Sequence, residues 1–134
     1  LALALALAAP PDADRREAIT QYALGRLRER DDRPAAAAGH LEAAARLDPD
    51  STEALRLLVP VYRQLGRDAA AVRAARTVLD ADPADLGTAR QLAQALFDGN
   101  RFAEASAALA TLAARPELPG KPALFLGVLT DRGV

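Results

Sequence analysis

The sequence predicts an all-α fold of antiparallel helix pairs, on three observations. Alanine and leucine dominate the 134 residues and aromatic residues make up only 4%, a composition typical of packed helices rather than sheets. Apolar residues recur at helical spacing along most of the chain. An Asp-Pro dipeptide also repeats, since Pro49 and Pro83 lie 34 positions apart. A fixed period of this length indicates repeated structural units that stack on one another.

Residues 1–16 are predicted as an apolar leader and linker. The opening stretch LALALALAAP is too short to span a bilayer. One interpretation is the remnant of a secretory signal, with a cleavage site such as Ala6-Leu7-Ala8, which favours an exported or periplasmic protein over a cytoplasmic one. The other is the tail of an upstream helix, because alanine and leucine are the best helix formers. An uncleaved membrane anchor is a third possibility, and a strand is the least favoured.

A 34-residue frame divides the rest of the chain into repeats at 18–51, 52–85 and 86–119, with a half repeat at 120–134. Position 7 is leucine in all four copies, and positions 16 and 20 are arginine and alanine in the three complete copies. These residues are Leu24, Leu58, Leu92 and Leu126; Arg33, Arg67 and Arg101; and Ala37, Ala71 and Ala105. The repeat domain is therefore predicted to cover residues 17–134.

Each repeat is predicted to contain two helices and two breaks. The first helix carries apolar residues such as Leu55 and Leu58 and ends at position 15, where residues that tolerate a left-handed backbone stand. Those residues are Asp32, Gly66 and Asn100. The second helix has small or apolar residues at positions 20, 24 and 27, and the proline at position 32 stops it.

The next repeat begins directly after the proline, and one proline interrupts a predicted helix. Ser51 or Thr52 is placed to cap the following helix ahead of Glu53. Pro60 lies inside the first helix of the second repeat, where it removes one backbone hydrogen bond. We expect an accommodated bend near Arg56 there; a kink that widens a binding surface is the alternative.

This pattern resembles the tetratricopeptide repeat (TPR) family, whose 34-residue unit has a large apolar residue at position 4, Leu-Gly at 7–8, Tyr at 11, Ala at 20 and 27, an aromatic residue at 24 and Pro at 32. The matching residues are Leu24, Gly25, Ala37, Leu41, Ala44 and Pro49; Leu55, Leu58, Tyr62, Ala71 and Pro83; and Leu92, Leu96 and Ala105. The resemblance implies a right-handed α-solenoid of about three and a half repeats, with a concave and a convex face.

Sixteen of the seventeen basic residues are arginine, which we interpret as bacterial GC-rich coding bias.

The resemblance also implies a protein–protein interaction scaffold that binds a peptide segment or partner domain in its concave groove. Positions 2, 5, 9 and 12 of each first helix line that groove in the family. The candidate peptide-binding residues here are Tyr22, Arg26, Arg56, Arg63, Arg90, Gln94 and Phe97. Guanidinium groups bind carboxylates bidentately, so we expect an acidic peptide or a free C-terminus. The alternative is a solvated face on which the arginines pair with neighbours such as Glu53 and Glu29.

Composition argues against other classes of function. A formal net charge of −1 gives no bulk electrostatic case for binding nucleic acid or an acidic membrane surface. Cysteine is absent, the single histidine is His40, and the Gly-Lys at 120–121 lacks the spacing of a phosphate-binding loop. We therefore expect no catalytic, cofactor or metal site in these residues. The alternative function is a regulatory or substrate-docking domain of a larger enzyme or bacterial envelope assembly protein.

Overall fold

The computed structural model describes residues 11–114, which form six α-helices. They are α1 (Asp12–Arg30), α2 (Pro34–Leu47), α3 (Glu53–Gln64), α4 (Asp68–Ala81), α5 (Leu86–Asp98) and α6 (Phe102–Ala113). Helices α1–α2, α3–α4 and α5–α6 pack as pairs, and each pair packs on the next through α2–α3 and α4–α5. The first helices lie side by side, since α3 also contacts α5, and α1 and α3 line a common pocket. The predicted all-α helical-repeat solenoid is confirmed.

The stretch 1–10 and the half repeat 120–134 lie outside the described residues. Helix α1 begins at Asp12, within the stretch predicted as leader and linker. Asp12 and Asp14 occupy its first turn, where carboxylates interact favourably with the exposed N–H groups and the helix dipole. Residues 12–16 are therefore helical. None of the helices within 11–114 is long and apolar enough to cross a membrane.

The turn inside each pair depends on a left-handed residue at position 15, as predicted. Its φ is 58° at Asp32, 74° at Gly66 and 63° at Asn100. In each turn the N–H of the following arginine donates to the carbonyl oxygen five residues earlier, over 2.8 Å. This bond, with one from the left-handed residue itself, forms a Schellman motif. The arginine carbonyl then accepts the first bond of the second helix from the alanine at position 20, which places both recurring residues at defined points of the turn.

The core lies between the helices of each pair and between consecutive pairs. Leu41, Leu58 and Leu96 are at most 1% exposed. Gly25 packs directly against Leu41, since a Cβ built on Gly25 would lie 2.6 Å from Leu41 Cγ. In the second repeat the corresponding positions hold Val59 and Ala75. The larger residue is thus on the second helix in the first repeat and on the first helix in the second.

The turns between repeats follow the Asp-Pro dipeptides. The N–H groups of Asp48 and Asp82 make the last backbone bonds of α2 and α4. Thr52 is the N-cap of α3 but its side chain makes no cap bond, while Ser51 Oγ accepts from the Glu53 N–H at 3.4 Å. Helix α3 continues from Glu53 to Gln64 on both sides of Pro60.

Gly25→Ala should destabilise the protein. The added methyl meets a fully buried leucine, and overpacking of this kind costs about 1–3 kcal/mol, more than the gain of up to about 1 kcal/mol from replacing a helical glycine. We expect a net loss of roughly 1 kcal/mol in the free energy of unfolding, measured with urea. In a Leu41→Ala background the same substitution should cost nothing further. An equal loss in both backgrounds would contradict the Gly25–Leu41 contact.

Gly66→Ala should destabilise the protein by about 1 kcal/mol, because a Cβ is unfavourable at positive φ. Gly39→Ala is the matched control, because Gly39 lies within α2 and a Cβ there meets no atom within 4 Å. It should instead stabilise the protein, by roughly 0.5–1 kcal/mol. Thermal and urea unfolding of the two variants would show the opposite signs, and a common sign would refute the left-handed turn.

Candidate functional site

The seven predicted groove residues all lie on the first helices of the pairs. Their spacing of three or four residues places the members from one helix on one face. Tyr22, Arg56 and Arg63 are half-buried, and the others are exposed. The structure does not bring all seven into one cluster, because hydrogen bonds divide the arginines into different environments.

Arg56 is bound to three carboxylates of its own chain. Its Nε donates to Asp85 Oδ2 at 2.7 Å, and its terminal nitrogens lie 3.3 Å from Asp82 and 3.4 Å from Glu53. Asp82 and Asp85 belong to the turn that precedes α5. Arg56 therefore ties α3 to the turn that caps the first helix of the third repeat, as in the alternative in which the groove arginines pair with neighbours.

Asp85 combines this ion pair with the cap of α5. Its carboxylate accepts from the Thr88 N–H at 3.1 Å and from Thr88 Oγ1 at 2.8 Å. Desolvation raises the pKa of Asp85, but the bonds from Arg56 and Thr88 together outweigh it, so the pKa lies below its usual value. The pKa of Arg56 is raised, mainly by its hydrogen bond to Asp85. Asp85 was not predicted as a partner of Arg56. It lies two residues after Pro83, the position that Ser51 occupies after Pro49, so its place as a helix cap could have indicated it.

Arg63 is held more loosely than Arg56. Its terminal nitrogens lie 3.3 Å from Gln91 Oε1 and 3.4 Å from Asp98 Oδ2, both near the upper limit for a hydrogen bond. Its Nε is buried and finds no hydrogen-bond partner among residues 11–114. An unpaired buried N–H costs about 1–3 kcal/mol, so the Arg63 guanidinium is incompletely satisfied by the described residues.

An open depression lies between α3 and α5. It has a volume of about 370 Å³ and is lined by Arg63, Gly87, Arg90, Gln91 and Gln94. Arg90 is exposed, while the Gln94 amide donates to Asp98 at 2.9 Å. The depression thus brings together three of the predicted residues, Arg63, Arg90 and Gln94. Gln91 was not predicted, because position 6 is not one of the groove positions implied by the TPR resemblance.

The remaining predicted residues lie at the two ends of the layer. Tyr22 lines a smaller pocket of about 120 Å³ between α1 and α3, whose other residues include Ile19, Ala18 and Ala54. The Arg26 guanidinium carbon lies 6.0 Å from the centroid of the Tyr22 ring, at the limit of a cation–π contact. At the other end, Phe97 packs edge-on against Phe102.

The described part of the chain holds no group of three or more histidine or carboxylate side chains placed to bind a metal ion. His40 Nδ1 lies 2.8 Å from Gln21 Oε1, which joins α2 to α1. The partly buried imidazole therefore has a structural partner.

Asp85→Asn should remove one component of the acid sensitivity of folding. Because the pKa of Asp85 is lowered in the folded state, its contribution is complete above the unfolded value of about 3.9 and is lost as pH falls through the folded value. We expect the variant to lose about 1–2 kcal/mol at pH 7 and less than the wild type on acidification. The free energy of unfolding is measured with urea at pH 7 and at a pH below the pKa of an unfolded aspartate. Asp80→Asn is the control, because Asp80 is an exposed aspartate of α4. Identical acid profiles of Asp85→Asn and wild type would contradict the assignment.

Several solved structures are similar to this chain. The TPR domain of Arabidopsis OM64 matches with a TM-score of 0.72 and 11% identity, covering 89% of this chain and 98% of that domain. MamA matches with a TM-score of 0.71 and 22% identity over 78% of this chain, which spans 57% of the MamA chain. The type III secretion translocator chaperone SycD of Yersinia enterocolitica gives 0.67 and 16%, covering 85% and 88%.

No protein-family model and no curated protein matches the sequence. At these identities the similarities bear on the fold, and they agree with the 34-residue frame, the left-handed turns and the stacked helix pairs. The chain therefore has the tetratricopeptide-repeat fold.

Proposed function

We propose that this chain is a protein-interaction scaffold that binds a peptide segment, or a segment of a partner domain, across the layer of α1, α3 and α5. A carboxylate of the ligand, from an acidic side chain or a free C-terminus, is held in the depression between α3 and α5. The fold supports a scaffold, and one similar structure, SycD, is that of a chaperone.

The observation that carries the proposal is the environment of Arg63. Its guanidinium has two long hydrogen bonds and a buried Nε without a described partner, and Arg90 lines the same depression. A carboxylate can accept two parallel hydrogen bonds from one guanidinium, and its negative charge also favours a second guanidinium beside it. The lining amides of Gln91 and Gln94 add neutral donors.

Arg56 has a different role in this proposal from the one its position in the sequence predicts. Its 2.7 Å bond to Asp85 and its two further carboxylates already neutralise it. A ligand carboxylate would have to displace these groups and face their charge. We therefore assign ligand binding to Arg63 and Arg90, and the positioning of the third repeat to Arg56.

The spacing of the helices limits the length of the bound peptide. Adjacent helices pack about 8–10 Å apart, so the distance from α5 to α1 is roughly 16–20 Å. An extended chain covers that distance with about six residues. The pocket beside Ile19 and Tyr22 is mainly apolar. The preferred ligand therefore has a carboxylate at one end and an apolar side chain about five residues away.

Arg90→Glu should weaken binding to peptides with a free C-terminal carboxylate. The probe is a library of short peptides presented with free or amidated C-termini and screened against the purified chain. Loss of a charge-assisted bond should reduce affinity about tenfold or more for the selected peptides. Arg63→Gln should have the same direction.

Arg73→Glu is the matched control, since Arg73 is an exposed arginine on α4, a second helix. It changes the net charge equally but should leave affinity within about twofold of the wild type. Equal losses in Arg73→Glu and Arg90→Glu would mean that only net charge matters. Unchanged binding in Arg90→Glu, with folding verified by circular dichroism, would refute the carboxylate site.

A further inference from the structure

Helix α3 differs from the other helices in one backbone feature. Among the six described helices it alone contains a proline in its interior, Pro60. Proline has no N–H, so the carbonyl oxygen of Arg56, four residues earlier, lacks its usual partner within the helix. Three threonine side chains of the described residues donate to helix carbonyls, and their acceptors are Arg16, Arg73 and Ala107. The Arg56 carbonyl is therefore available to a donor from outside the helix.

This carbonyl lies on the least buried face of α3. The carbonyl of a helical residue points toward the residue four positions further on, so the oxygen of Arg56 lies beside Pro60. Pro60 shares one face of the helix with Arg56 and Arg63 at helical spacing, and all three are half-buried. Leu58 and Val61, on the opposite side, are buried. The acceptor therefore lies on the side of α3 that carries the candidate ligand residues.

The two ends of the proposed binding path lie on either side of Pro60. The depression that holds the ligand carboxylate is lined by Arg63, in the last turn of α3. The apolar pocket beside Tyr22 is lined by Glu53 and Ala54, in the first turn of the same helix. A peptide that joins the two sites must therefore cross the middle of α3, where Pro60 is.

A peptide bound on a helical surface needs acceptors for its own N–H groups. A main-chain donor that leaves water without finding a partner costs free energy. The surface of a helix offers few main-chain acceptors, because its interior carbonyls are bonded within the helix. Pro60 releases one such acceptor in the middle of α3, on the face that the peptide crosses.

We propose that the carbonyl oxygen of Arg56 accepts a main-chain N–H of the bound peptide and thereby fixes the register of the peptide on α3. This inference rests on the proposed function. Arg56 and Arg63 are seven residues apart, or about 10 Å along the helix axis. An extended chain covers that distance with about three residues. The N–H concerned is therefore about three residues from the ligand carboxylate, and a peptide with proline at that place is rejected.

Backbone N-methylation of a peptide selected from the library with free C-termini tests this contact. Each amide is methylated in turn, and affinity is measured for the wild type and for Pro60→Ala, in which the restored N–H occupies the Arg56 carbonyl. Methylation about three residues from the carboxylate should weaken binding to the wild type about threefold to tenfold, the equivalent of one hydrogen bond. Pro60→Ala should weaken binding of the unmethylated peptide to the same extent, and methylation should then cause no further loss. Equal losses in both proteins at every amide would overturn the proposal.

Hydrogen exchange tests the acceptor without a peptide. The new N–H at position 60 in Pro60→Ala should be protected from exchange, because the Arg56 carbonyl is free to bond it. Pro34→Ala is the matched control, since Pro34 is the first residue of α2, where an N–H has no partner within the helix. Its new N–H should exchange rapidly, and peptide affinity should not change. Rapid exchange at position 60, in a variant that circular dichroism shows to be folded, would overturn the proposal.

The outcomes separate this inference from the proposed function. If Arg90→Glu weakens binding and Pro60→Ala does not, the carboxylate site stands and the role of the Arg56 carbonyl is refuted. If no peptide of the library binds the wild-type chain, the proposed function is refuted and this inference with it.

Discussion

The left-handed residue at position 15 is the constraint on which the rest of the structure depends. It reverses the chain within each pair, and only then can the two apolar faces meet. Aspartate, glycine and asparagine all occupy it with φ between 58° and 74°. The arginine after it completes one helix end with its N–H and begins the next with its carbonyl. Repetition of this local geometry at a fixed interval stacks the pairs in one register, which places α3 against α5 and forms the depression between them.

Local features of the structure could be predicted from the sequence, whereas interactions between distant residues could not. The turns at Asp32, Gly66 and Asn100 follow from the backbone preferences of single residues. The early start of α1 was missed because favourable carboxylates at Asp12 and Asp14 outweighed the apparent linker. The partners of Arg56 were missed because Asp82 and Asp85 lie 26 and 29 residues further on, and only the fold brings them to α3.

The candidate site shows the same division. A groove position in the sequence predicts which face of the first helix a side chain lies on. It does not predict whether that side chain already has hydrogen-bond partners within its own chain. Arg56 and Arg63 occupy such positions on one helix, yet Arg56 has a 2.7 Å bond to the carboxylate that caps α5, and Arg63 has only bonds of 3.3 and 3.4 Å. Hydrogen-bond length and burial therefore separate the arginine that holds repeats together from the arginine that can receive a ligand.

The opposite arrangement of large and small residues in the first two repeats also protects folding against register errors. In a repeat protein, a first helix can mistakenly pair with the second helix of a neighbouring copy, since the backbone geometry is the same. Here α1 paired with α4 would set Gly25 opposite Ala75 and leave a void, whereas α3 in the place of α1 on α2 would force Val59 against Leu41. Both mispaired hairpins are penalised by packing, through a cavity in one case and a steric clash in the other. Between the first two repeats, packing therefore favours the native pairs, and a single helix exchanged between these two repeats would lose its fit unless its partner moved with it.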